Sequence, residues 1–153
     1  MTIYVMGHKN PDTDTIVASI ACAELLKARG LDAKAYKQGE LNPESQFVID
    51  TFKLNDLEMI ESVEGKDIDT TEPTQLPDDI EKANIMFVAD HHKLSGIKTT
   101  TPLEMYVQPV GSACTVLSNI FEFEGAKIPS GVAGAMMCAI LSDTVLFKSP
   151  TTP

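Results

Sequence analysis

The sequence predicts an α/β domain, a doubly wound, mostly parallel sheet with helices on both faces. Three observations carry this expectation. Short apolar runs suited to buried strands alternate with stretches of helical periodicity, the pattern of βαβ units with right-handed crossovers. The 153 residues, 43% hydrophobic and 22% charged, are about one domain's worth of chain and can bury a sizeable core. Residues able to bind metals or phosphate cluster just after two of the predicted strands, where open α/β sheets place their ligands.

The elements follow in order. Ile3-Tyr4-Val5-Met6 is a short apolar strand. A long helical pattern then carries Ile16, Val17, Ile20, Ala21, Ala23, Leu25 and Leu26, and stops at Lys27-Ala28-Arg29-Gly30, with cations in the last turn and a glycine beyond. Ala33 to Lys37 reads as a second strand. Asn42-Pro43-Glu44 opens a helix bearing Phe47, Val48, Ile49 and Phe52. Leu57 to Val63 suggests a short helix or turn. Gly65 to Asp69 is the next strand by alternation, although it has little apolar content. Asp78-Asp79 begins a short helix through Lys82, and Ile85 to Ala89 is a buried strand. Glu104 to Val107 gives a further strand. Ser112 caps a helix carrying Val116, Leu117, Ile120 and Phe121. Pro129-Ser130-Gly131 starts the last helix, expected from Val132 to about Phe147 and nearly fully buried, its Gly and Ala residues packed against neighbouring backbone. Lys148 to Pro153 reads as a linker.

Acidic residues outnumber basic ones 22 to 12, a formal charge of −10 that argues against a broad nucleic-acid-binding surface. Cys22, Cys114 and Cys138 are far apart in apolar helical contexts, so they read as reduced, packed thiols. The longest apolar run, Val132 to Leu141, is shorter than the roughly 20 residues a membrane helix needs. Met1 leads straight into a strand with no signal-peptide pattern. The expectation is a cytoplasmic protein with no nucleic-acid or membrane partner.

Gly7-His8-Lys9-Asn10-Pro11-Asp12-Thr13-Asp14 lies between the first strand and the first helix. It supplies one imidazole and two carboxylates on a loop that Pro11 stiffens, a donor set fit for divalent metal. The plainer alternative is that Asp12 or Asp14 merely caps the helix. Asp90-His91-His92 leaves the most apolar strand, so the three histidines of the chain all fall at strand ends. One of the adjacent pair is expected to ligate and the other to face substrate. Asp143 sits in an otherwise apolar helix, where a carboxylate needs a partner such as a cation. Asp69, at the end of the weak middle strand, is a third candidate, with Asp67 and Glu72 competing for its role. Gly111-Ser112-Ala113-Cys114-Thr115 is a possible anion cradle at a helix N-terminus.

Taken together, G-H-K-N-P-D-T-D at 7–14, D-H-H-K at 90–93, P-V-G-S at 109–112 and S-D-T-V-L-F-K-S-P-T at 142–151 resemble the manganese-dependent, family II inorganic pyrophosphatases of the DHH phosphoesterase superfamily. The resemblance implies the fold of that superfamily's N-terminal domain and hydrolysis of pyrophosphate to two phosphates. It implies that His8 and Asp12 hold one ion, that Asp14, His91 and Asp143 hold another, that Asp69 bridges them and positions the attacking water, and that His92 meets the substrate phosphate. The implied cofactor is two Mn²⁺ or Co²⁺ ions, with Mg²⁺ entering with substrate. Thr70 stands where the family's middle motif has histidine. The family also places a homodimer contact on this domain, for which Glu104 to Val107 is the candidate edge, and supplies substrate-gripping basic residues from a C-terminal domain. The expectation is therefore residues 1–147 as the DHH metal-binding catalytic domain and 148–153 as the start of an interdomain linker, with the substrate-binding domain absent and turnover impaired. The alternatives are another phosphoesterase of the superfamily acting on short or cyclic nucleotides, or a metal-binding and dimerising module inactive on its own.

Overall fold

The computed structural model describes residues 1–70, 76–93, 98–150 and 152, the side chains of Asp69 and Thr70 excepted. Its six strands are β1 (Ile3–Met6), β2 (Ala33–Lys37), β3 (Glu58–Met59), β4 (Asp67–Thr70), β5 (Asn84–Asp90) and β6 (Glu104–Val107). They form one sheet in the order β3-β2-β1-β4-β5-β6, and every pairing is parallel. The chain leaves β1 towards β2 on one side and passes from β4 to β5 on the other. The wind therefore reverses between the adjacent β1 and β4, the switch point at which such sheets bind ligands.

Among the described residues four α-helices accompany the sheet: α1 (Thr13–Ala28), α2 (Pro43–Thr51), α3 (Ala113–Glu124) and α4 (Ser130–Asp143). Nearly every side chain of α1 is buried from Thr13 to Leu26, because it lies against the sheet and touches α2, α3 and α4. That explains why its apolar residues show no single stripe: a helix covered on all sides is apolar all round. Gly30, at φ +82°, ends it, a left-handed position that glycine takes without strain. The main core joins Val5, Val17, Leu25, Phe87, Leu117 and Phe121 on this face. The opposite face has a smaller core of Met6, Ile60, Val63, Ile68, Ile85 and Val88, over which Tyr4 and Tyr36 stack at 4.9 Å. Among the described residues the helix on that side is a single 3₁₀ turn, Ile80–Lys82.

Several expectations are corrected. Leu57 to Val63 is neither helix nor simple turn: Glu58–Met59 add a two-residue edge strand in register with Tyr36 and Lys37. The last helix ends at Asp143, not near Phe147, because Val145, Leu146 and Phe147 adopt φ of +49°, +55° and +63°. Those side chains are exposed, as is Met137, so α4 buries one face and not its whole circumference. Its glycines do pack closely as expected. A Cβ on Gly134 would lie 2.2 Å from the Phe52 ring, and one on Gly131 would lie 3.0 Å from the Phe52 carbonyl oxygen. The β5 strand extends through Asp90, and its register against β4 shifts between Ile68 and Asp69. That irregularity lets Ile85 and Val88, three apart, share one face of the sheet. Cys22 and Cys114 are buried, Cys138 is half-buried, and none of the three is in a disulfide. Among the described residues no helix is long and apolar enough to cross a membrane.

Candidate metal centre

The site forms where the carboxyl ends of β1 and β5 meet the first turn of α1 and the last turn of α4. The β1–α1 loop carries the first group. Asp12 is the N-cap of α1, its Oδ1 accepting from the Thr15 N–H at 2.8 Å. The capping alternative is thus true of Asp12, yet it uses only one oxygen. Oδ2 lies 3.7 Å from His8 Nε2. His8 Nδ1 faces the Lys9 carbonyl oxygen at 2.8 Å, which assigns the ring proton to Nδ1 and makes Nε2 an acceptor. Thr15 Oγ1 lies against the same Nε2. Burial works to raise the Asp12 carboxyl, but His8 and the Thr15 donors outweigh it and hold the group at about 2.

The second group is assembled from three separate elements. Asp14 from α1, His91 from the loop after β5 and Asp143 from the end of α4 each present a ligand atom, all within 4.8 Å of one another. His91 Nε2 is 3.7 Å from Asp14 Oδ2 and 3.8 Å from Asp143 Oδ2. His91 Nδ1 meets the Val110 carbonyl oxygen at 3.0 Å, so here too the inward nitrogen keeps its lone pair. Asp14 is nearly buried, and its carboxylate plugs the N-terminus of α3. Oδ1 accepts from Ser112 Oγ at 2.6 Å and from the Cys114 N–H at 3.1 Å, and Oδ2 accepts from the Ala113 N–H at 2.7 Å. The expected anion cradle at Gly111–Thr115 is therefore real, and its anion is a side chain of this chain.

The carboxyl of Asp143 is pushed up to about 8, first by burial and then by the charges of Asp14 and Asp12. That influence of Asp12 joins the two groups into one acidic rim. Imidazole nitrogens turned towards neighbouring carboxylates form a donor set suited to a borderline divalent cation. The residues present fit such an ion.

Asp90 supports both histidines. It is fully buried, and its Oδ1 accepts from the His91 N–H at 2.7 Å, the His92 N–H at 3.1 Å and His92 Nδ1 at 2.9 Å. Its Oδ2 has no hydrogen-bond partner among the described residues. The His92 ring lies 4.1 Å from that of His91 and is well exposed. Asp67 stands at the start of β4, where it accepts from Asn84 Nδ2 at 2.9 Å, at the end of the strand away from the ligand loops. The Asp69 side chain and Glu72 lie outside the described residues. The Asp69 backbone pairs with Val5 and Phe87, between the two ligand-bearing strands. Sequence reasoning missed Glu44, whose Oε1 accepts from Thr13 and from Ser142 Oγ. Its only sequence signal is its place in the first turn of α2.

Comparison with known proteins agrees with this geometry. The profile of the DHH family, N-terminal domain, matches residues 2–140. A relative from Exiguobacterium sp. AT1b, named a probable manganese-dependent inorganic pyrophosphatase, is 43% identical over 155 residues, covering 98% of this chain and 50% of the relative. One of the same name from Listeria innocua is 42% identical over 152 residues, covering 96% and 49%. The chain spans about half the length of the curated relatives it matches. A Methanococcus jannaschii crystal structure, assigned provisionally as a family II inorganic pyrophosphatase, superposes with TM-score 0.87 at 40% identity over 99% of this chain and 51% of that one. An exopolyphosphatase-related protein from Bacteroides fragilis, at 13% identity and TM-score 0.76 over 99% of this chain and 48% of that one, shares the fold.

Proposed function

We propose that this chain, which belongs to the DHH family, is the metal-binding part of a manganese-dependent enzyme that hydrolyses inorganic pyrophosphate to two phosphates. The observation that carries this reading is the convergence of Asp14, His91 and Asp143 on one point, with His8 and Asp12 on the same rim. Residues 1–147 form the metal-binding unit. His8 and Asp12 hold one ion, and Asp14, His91 and Asp143 hold the other. The Asp69 backbone position between β1 and β5 supports Asp69 as the ligand shared by both.

Two bound Mn²⁺ or Co²⁺ ions supply charge for the phosphate oxygens and a water of lowered pKa, with Mg²⁺ accompanying the substrate. The chain's own residues arrange the rest. The Lys9 and Val110 carbonyls fix the tautomers of His8 and His91. Asp90 orients His92 so that its outward nitrogen faces a substrate phosphate oxygen. Asp14 is held by three donors of α3, so its position is set before any ion arrives.

The partners follow from the surface. The net charge of −10 disfavours nucleic acid as a partner. The β6 edge, beside a groove of about 520 Å³ lined by Tyr106, Ile120 and the 86% exposed Phe123, supports a homodimer formed through this strand. Three cysteines outside any disulfide support a reducing, cytoplasmic setting.

The test is calorimetric titration of the chain with Mn²⁺, beside phosphate release from pyrophosphate by a form as long as the relatives. Tight binding that His91→Ala or Asp143→Ala removes, together with release from pyrophosphate in preference to a cyclic dinucleotide, is the expected result. A titration silent to Mn²⁺ sinks the reading.

A further inference from the structure

We propose that Glu44 is a positioning residue for the metal centre, a brace that ties the first turn of α1 to the last turn of α4; this rests on the metal-binding reading above. One oxygen does the tying. Glu44 Oε1 accepts from the hydroxyl of Thr13 and from Ser142 Oγ, the latter at 2.7 Å. Thr13 stands between Asp12 and Asp14, and Ser142 directly precedes Asp143. A single acceptor therefore holds two side-chain hydroxyls whose residues adjoin three carboxylates at the ends of two different helices.

The brace has a geometry to hold. Asp14 and Asp143, from two different helices, each put Oδ2 within 4 Å of the same His91 nitrogen, at 3.7 and 3.8 Å. A small parting of the ends of α1 and α4 would undo that convergence. Ala18, Ala135 and Ala139 belong to the main apolar core, while Thr13 and Ser142 at the helix ends bond to Glu44 through their side chains. Glu44 itself is well seated. It occupies the first turn of α2 after the Asn42 cap and Pro43, where a helix favours an anion. Its neighbour Ser45 is fully buried, with Oγ 3.3 Å from Thr13 Oγ1.

Substitutions separate acceptor from charge. Glu44→Gln keeps a carbonyl oxygen that can accept from both hydroxyls, while Glu44→Ala keeps nothing. Titration with Mn²⁺ alone is expected to show about 10–100-fold weaker binding for Glu44→Ala, the usual loss when a ligand's outer support is removed. Glu44→Gln should stay within about threefold of the parent. Ser142→Ala, at an exposed position, is expected to weaken binding in the same sense, and to add little in a Glu44→Ala background because the two act through one bond. The metal-free melting temperature should barely move in any of them.

Unchanged Mn²⁺ affinity in Glu44→Ala overturns the brace, and so does Glu44→Gln binding as weakly as Glu44→Ala, since charge and not acceptance would then be at work. A parent chain that binds no Mn²⁺ is a different failure, and removes the metal-binding reading itself.

Discussion

The two halves of the metal centre are built in opposite ways. His8 and Asp12 are four residues apart on one loop, and each is oriented by a neighbour in sequence, the Lys9 carbonyl and the Thr15 N–H. Asp14, His91 and Asp143 come from three elements, and α3 and the Val110 carbonyl hold two of them from afar. The electrostatics differ in step. The local half pulls its carboxyl down to about 2, and the assembled half pushes Asp143 up to about 8. A site made from distant residues can crowd like charges that no single loop would gather, and it needs an outside cation more.

The same substitution made in each half gives the largest contrast. Asp14→Asn replaces an acceptor-only group with one that must turn an NH₂ towards the N–H or O–H donors of α3. About 2–4 kcal/mol of unfolding free energy should be lost, measured by denaturant titration without metal. Asp12→Asn should cost less, about 1 kcal/mol, because asparagine keeps the N-cap and only the half-exposed charge beside His8 is lost. Equal losses would erase the distinction.

Metal affinity is the next measure. His91→Ala should lose more than the 10–100-fold typical of a missing supporting contact, because it removes the nitrogen common to two carboxylates. His8→Ala should leave one Mn²⁺ binding phase in place and remove the other. A single phase lost in both variants alike would merge the two halves.

Titration with acid and base separates them by sign. In the folded, metal-free chain Asp143 keeps its proton up to about 8, against an ordinary 3.8 when unfolded. Between those values the folded form binds more protons, so stability falls as pH rises from about 4 to about 8. Asp12 runs the other way: its contribution is present above its ordinary 3.8 and is lost as pH falls towards 2. The melting temperature without metal should therefore drop between about pH 5 and 8, and Asp143→Asn should flatten that slope. Saturating Mn²⁺ should flatten it too, by fixing the carboxylate in its charged form.

Backbone strain provides the smallest effect. The local loop meets its left-handed position with Asn10 at φ +53°, a residue that tolerates it. The turn after Asp143 uses Val145 at φ +49°, where a β-branched side chain is strained by about 1 kcal/mol or more. Val145→Gly should stabilise the fold by up to about 1 kcal/mol, and Asn10→Gly should be close to neutral in the same melting experiment.

What was legible in the sequence follows the same division. The sheet, α1 with its Gly30 stop, the Ser112 cap and the two ligand loops are encoded by residues within a few positions of one another. The end of α4 was not legible, since Val145, Leu146 and Phe147 continue an apolar pattern while the backbone turns left-handed. Nor was β3, two residues long, defined only by its register with Tyr36 and Lys37. The weak apolar content of β4 has a physical reason: Asp67 spends its carboxylate on Asn84, and Ile68 alone is fully buried there among the described side chains. Glu44 left no trace because its two partners lie 31 and 98 residues away.

Asp14 reaches donors 98 to 100 residues further along the chain. A chain that has not yet docked α3 lacks the seat for this carboxylate. On the metal-binding reading proposed above, that ligand would come into place only once the far half of the chain has folded.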